Sequence, residues 1–156
     1  MDEDARVPAP DAPVEERLLF LQENTVSFVN QFSMPVIEVA LVLSKYIRIL
    51  LESLQNTAQS NGEALPPRLT EPWHIDTQKE PPRIDSFPLE TLLGNLDEDR
   101  MDILDTLIRT ILNESQLPFI SALTLLREWE VPVRTQLAAA SGPGQLFSPM
   151  ELPEGF

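Results

Sequence analysis

Residues 36–54 read VIEVALVLSKYIRILLESL. The charged side chains in this stretch, Glu38, Lys45, Arg48 and Glu52, stand seven, three and four residues apart. On a helix of 3.6 residues per turn those spacings return to one line. Most of the remaining circumference is apolar, so the spacing predicts a helix covered almost all round by its neighbours. Such a helix belongs at the centre of a small bundle, with the other segments wrapped about it. A membrane span is the first competing reading, since the stretch would be about 28 Å long at 1.5 Å per residue. Glu38, Lys45 and Arg48 lie inside it, and each would cost roughly 2.5–3.5 kcal/mol near a bilayer centre. A buried strand is the second, favoured by the β-branched Val36, Ile37, Val39, Val42 and Ile49, but length and polar spacing favour the helix.

On the N-terminal side of this stretch, Pro13 suits an early helical position, and Glu15 and Glu16 complement the positive end of a helix dipole. Leu18, Leu21, Thr25, Phe28 and Phe32 form one apolar stripe, widened by Leu19, Val26 and Val29. Ser33, Met34 and Pro35 break the pattern, with Ser33 placed to cap the next helix. On the C-terminal side, Asn61 and Gly62 supply a stop. Residues 61–88 then hold Pro66, Pro67, Pro72, Pro81, Pro82 and Pro88, which forbid a continuous helix. This proline-rich crossover also carries Leu65, Leu69, Trp73, Ile75, Ile84 and Phe87, more large apolar groups than a plain linker needs. It is expected to lie extended against the bundle or against a partner.

Leu89 to Leu93 reads as one short helical turn closed by Gly94. Asp97 caps the next helix, with Met101, Leu104, Leu107, Ile108, Ile111 and Leu112 on its apolar face. Glu98, Asp102, Asp105, Arg109 and Asn113 occupy the solvated face. A further helix starts at Phe119 and is nearly as apolar as the central one through Trp129, with Pro132 ending or kinking it. Gly142, Pro143 and Gly144 stop regular structure.

The fold expected is all-α, a small bundle of four or five helices with a long proline-rich crossover and flexible acidic ends. Residues 1–13 form a disordered acidic, proline-bearing leader, 14–141 the bundle domain and 142–156 a flexible tail. Eleven basic residues stand against 25 acidic ones among 156, a net charge of −14. That balance argues against direct binding of nucleic acid or of an anionic membrane surface. The chain has no cysteine, so thiolate nucleophiles, disulfides and cysteine metal sites are excluded. The acidic N-terminal residues are unlike a signal or transit peptide, and a soluble intracellular protein of nucleus or cytoplasm is expected.

The search for chemistry yields little. His74, the one histidine, sits in the crossover beside Trp73, where a surface role is the ordinary one. No phosphate loop, nucleophile elbow or dinucleotide fingerprint is present. The carboxylates Asp97, Glu98, Asp99, Asp102 and Asp105 fall at helix spacings that serve capping and solvation rather than a calcium loop. No catalytic residue, metal or cofactor is expected.

The surplus of apolar surface points elsewhere. Two helices apolar nearly all round are more than a bundle of this size needs to enclose. The reading is therefore a non-catalytic helical subunit or adaptor that binds protein partners through apolar helix faces or the tail. The candidate partner-binding residues are Trp73 and Ile75 in the crossover and Leu146, Phe147, Met150, Leu152 and Phe156 in the tail. A tail folded back on its own bundle is the competing expectation for the last five. A carrier of an apolar small molecule, with Trp73 or Trp129 at its mouth, is the first alternative function. A carboxylate enzyme using an external metal at Asp102 and Asp105 is the second.

Overall fold

A computed structural model of the protein describes residues 6–75, 89–140 and 142–152. Four long helices carry the fold: α1 (Val14–Gln31), α2 (Val36–Ser60), α5 (Glu98–Ser115) and α6 (Phe119–Ala139). Two short ones, α3 (Pro67–Thr70) and α4 (Leu89–Gly94), lie between α2 and α5 in the chain, and a 3-10 turn at Pro143–Phe147 follows α6. The described residues form no β-strand, only an isolated antiparallel bridge between Pro35 and Pro149. The all-α bundle expected from periodicity is the fold found. No helix among the described residues is long and apolar enough to cross a membrane.

α2 packs most extensively on α6 and also meets α5 and the 3-10 turn, while α1 packs on α5 and α6. Leu21, Met34, Leu50, Leu104, Ile108, Leu123 and Leu126 are almost wholly withdrawn from solvent and form the centre. Burying a side chain of that size is worth roughly 1.5–3 kcal/mol, so this layer supplies the main drive for folding. The covering of α2 is less complete than its sequence predicts. Leu41 and Ile49 remain 42% and 44% exposed.

The break between α1 and α2 is a helix stop rather than a side-chain cap. Ser33 adopts a left-handed conformation (φ 46°) and caps nothing with its hydroxyl. Its amide bonds Asn30 O at 3.3 Å and the Met34 amide bonds Val29 O at 3.0 Å. This is the Schellman arrangement, completed by burial of Met34 against the core that holds Val29. α2 ends the same way at Gly62 (φ 70°), whose successor Glu63 bonds Ala58 O at 2.8 Å. α5 begins as predicted, with Asp97 Oδ1 accepting from the Arg100 amide at 3.0 Å.

Pro132 does not end α6. The helix runs through it to Ala139. An interior proline costs about 3 kcal/mol, but Trp129 and Val133, on either side of it, are 6% and 3% exposed. Their burial offsets the lost bond.

The expected leader and tail both contact the bundle where they are described. Val7 and Leu152 lie partly buried on the core, and Leu146 and Met150 are within it. Phe156 lies outside the described residues, as do residues 76–88 of the proline-rich crossover, with Ile84 and Phe87 among them.

Candidate functional site

Two charged groups pin α5 to α2. Glu38, expected on a wet stripe, is fully buried. The Arg100 guanidinium donates to both its oxygens, Nε to Oε1 and Nη2 to Oε2, each at 2.7 Å. The Asp97 amide adds a third bond to Oε2 at 3.1 Å. Glu38 raises the Arg100 pKa, chiefly through those hydrogen bonds. One turn further along α5, Asp105 is also buried rather than solvated. It accepts from Lys45 Nζ and Tyr46 Oη, and Arg109 Nη2 stands 3.4 Å from Oδ1. Burial pushes the Asp105 carboxyl up. The hydrogen bonds from Lys45 and Tyr46 and the charges of Lys45 and Arg109 together bring it below its ordinary value. Burial, reinforced by the bond to Asp105, drives the Tyr46 hydroxyl well above its usual range. Every oxygen in these groups faces a cationic or hydroxyl donor of the protein itself, which is the chemistry of a structural clamp. Among the described residues no group of three or more metal-ligating side chains is placed to hold an ion.

The start of the crossover is held down by α6. Arg127 Nε and Nη2 reach Leu69 O at 3.1 and 2.9 Å, and Leu69 is 2% exposed. Arg134 donates to Trp73 O, while Trp73 Nε1 bonds Arg68 O at 2.8 Å. Trp73 and Ile75 are each half-buried. His74 between them is exposed.

The tail returns to the centre of the molecule. Val36 N donates to Ser148 O and Met150 N to Met34 O, each at 2.9 Å, so residues 148–150 form an extended strap along the α1–α2 turn. Gln136 of α6 grips the other edge, donating to Pro149 O at 3.0 Å and accepting from the Glu151 amide at 2.7 Å. Successive residues of an extended chain point to opposite sides. Pro149 and Glu151 are exposed, while Met150 and Leu152 turn inward. There they close a cavity of about 30 Å³ whose walls come from all four long helices. Val29, Val42, Ile108, Trp129 and Pro132 are among its lining, and Thr25 is its one hydroxyl-bearing residue.

That hydroxyl is unusual. Thr57, Ser60, Ser115, Thr124 and Thr135 each bond the carbonyl four residues back in their helix. Thr25 Oγ1 is buried with no partner, in a residue 7% exposed. A buried hydroxyl left so costs about 1–3 kcal/mol.

The structure thus distributes the predicted partner-binding residues. Leu146 and Met150 are core, Leu152 is half-buried at the cavity rim, and Phe147 is half-buried on the returning tail. Trp73 is bonded to Arg68 and to Arg134 of α6 rather than to the tail, and Ile75 is half-buried. Sequence reasoning gives no role to Arg17, Arg127 or Arg134, and it places Thr25 only within the apolar stripe of α1. Arg17 Nη1 bonds Ser115 O at 3.0 Å and Gln116 O at 3.2 Å, closing the end of α5. Its signal was present: Arg17, Leu21, Thr25 and Val29 are spaced by four, and all are buried.

No family model matches this chain, and neither a curated protein nor a solved structure matches it.

Proposed function

We propose that this chain is a non-catalytic helical subunit or adaptor of an intracellular protein complex. The observation that supports this most is a row on the outside of α2. Leu41, Lys45 and Ile49 follow one another at four-residue spacing and so share a face. Leu41 and Ile49 are both more than 40% exposed. The charge between them is drawn away, because Lys45 Nζ is engaged by Asp105 of α5. Two large aliphatic groups about 12 Å apart along the axis, with the intervening cation neutralised, suit a protein partner's apolar surface. The adjoining Arg48 and Glu52 are exposed and supply a polar rim.

The test is capture from native extract with the tagged full-length chain, compared with a Leu41→Glu/Ile49→Glu variant and read by mass spectrometry. Both positions are surface sites, so the variant should melt with the parent. The expected result is a stoichiometric protein recovered by the parent and lost with the variant. Equal recovery by both would move the contact off α2. Recovery by neither would sink the adaptor reading. Truncating at Ser141 would be a poor control, since it removes Leu146 and Met150 from the core.

A further inference from the structure

The central cavity combines three features whose conjunction the fold does not require. Its lining holds no charged side chain. Thr25, whose hydroxyl is buried without a partner in a residue more than nine-tenths buried, is among its lining. One of its walls is made by Met150 and Leu152, which belong to a strap rather than to a helix. A water in this space would meet at most the Thr25 hydroxyl and the Trp129 indole N–H within an apolar shell, whereas buried waters make about three hydrogen bonds. The site is therefore better suited to an apolar group than to water.

The strap is held unevenly. Ser148 and Met150 bond the backbone of the α1–α2 turn, and Pro149 and Glu151 bond Gln136. Leu152 lies beyond the last of these bonds and is only half-buried. With Leu152 inward, about 30 Å³ is open, room for one methyl-sized group. With Leu152 turned out, its own side-chain volume joins that space, and the enlarged site admits a short hydrocarbon chain.

We propose that the centre of the bundle binds a neutral, slender, mainly hydrocarbon molecule carrying one oxygen function, with Thr25 Oγ1 as its hydrogen-bond partner and Leu152 as its displaceable stopper. Neutrality follows from the lining, which offers no cation to a carboxylate, and from a net charge of −14, which repels anions. The oxygen follows from Thr25, since a hydroxyl left unpaired in a dry site is satisfied only by a polar atom. This site is separate from the Leu41–Ile49 row, so either can fail without the other.

The probes are hexan-1-ol and toluene, the second lacking oxygen, titrated into the full-length chain and followed by NMR. The indole N–H of Trp129 and the methyl of Thr25 report from the cavity lining, and the indole of Trp73 reports from the flank. The expected result is a saturable shift at Trp129 and Thr25 with Trp73 unmoved. Leu152→Ala, at a half-exposed position, should tighten both probes roughly ten-fold by removing the stopper. Thr25→Val should weaken hexan-1-ol roughly ten-fold and leave toluene within a factor of about two. Absence of a saturable shift in both the parent and Leu152→Ala would overturn the site. An unchanged alcohol-to-toluene ratio in Thr25→Val would overturn the role of the hydroxyl.

Discussion

The two sides of α2 are held by opposite chemistry. Toward α5 the contact is ionic and directional, with Glu38 clasped by Arg100 and Asp105 shared among Lys45, Tyr46 and Arg109. Toward α6 and the returning tail it is apolar and borders the cavity whose lining includes the unpartnered Thr25. An ionic seam defines a register, because a slip of one residue would strand a buried charge. An apolar seam tolerates adjustment, because hydrophobic contact is not directional. In this bundle the ionic seam fixes where α5 sits, and the apolar seam holds the room that can change.

The sharpest way to break this contrast is to remove one side of the clamp. Arg100→Met leaves Glu38 buried without its cation and should cost about 3–5 kcal/mol in chemical denaturation. Replacing both partners in Glu38→Leu/Arg100→Met should recover most of that loss, since the pair itself contributes little net stability. A single variant as stable as the parent would mean that Glu38 is solvated and that the seam is not ionic in effect. The apolar seam should respond less. Met150→Ala deletes contacts at the rim of an existing cavity, so a loss of about 2 kcal/mol is expected by denaturant titration. No loss at all would show that the strap is not packed.

A fourth variant separates the seams by pH. The Asp105 carboxyl is held below its ordinary value, although burial alone would raise it. A carboxyl whose pKa is lower folded than unfolded favours folding above the unfolded value, and that contribution disappears as pH falls through the folded value. Asp105→Asn should therefore be less stable than the parent near neutrality, with the gap closing on acidification below about pH 4, the ordinary carboxylate range. Stability curves of parent and variant that run parallel from pH 7 to 3 would refute the assignment. Met150→Ala, which involves no titrating group, should lie parallel to the parent throughout.

Much of the bundle was legible because periodicity reports burial. The stripe Leu104, Ile108, Ile111 and Leu112 and the acidic cap Asp97 both sit where their spacing placed them. The failures share a cause. Charged residues such as Glu38 and Asp105 read as solvent-facing, since a pattern cannot show that Arg100 or Lys45 will arrive from another helix. Leu41 and Ile49 read as interior but are exposed, since composition alone does not say how many neighbours are present to cover a helix. The cavity was illegible for the same reason: Thr25 and Leu152 are remote in sequence and meet only through the returning strap.

The smallest expected effect concerns the turn on which the strap rests. α1 and α2 end in the same backbone motif, but α2 places Gly62 at the left-handed position and α1 places Ser33 there. A left-handed conformation costs a non-glycine residue roughly 1–2 kcal/mol, while glycine loses about 0.5–1 kcal/mol more backbone entropy on folding. The difference favours Ser33→Gly by about 0.5–1 kcal/mol, provided the serine side chain contributes nothing, and its hydroxyl makes no cap. The gain should appear in denaturant titration as a later midpoint with an unchanged slope. Because Met34 O and Val36 N still receive the strap, the Leu152 stopper should behave as in the parent. A destabilised Ser33→Gly would mean instead that serine rigidity at this turn helps hold the apolar seam closed, and the contrast between the seams would be smaller than their chemistry suggests.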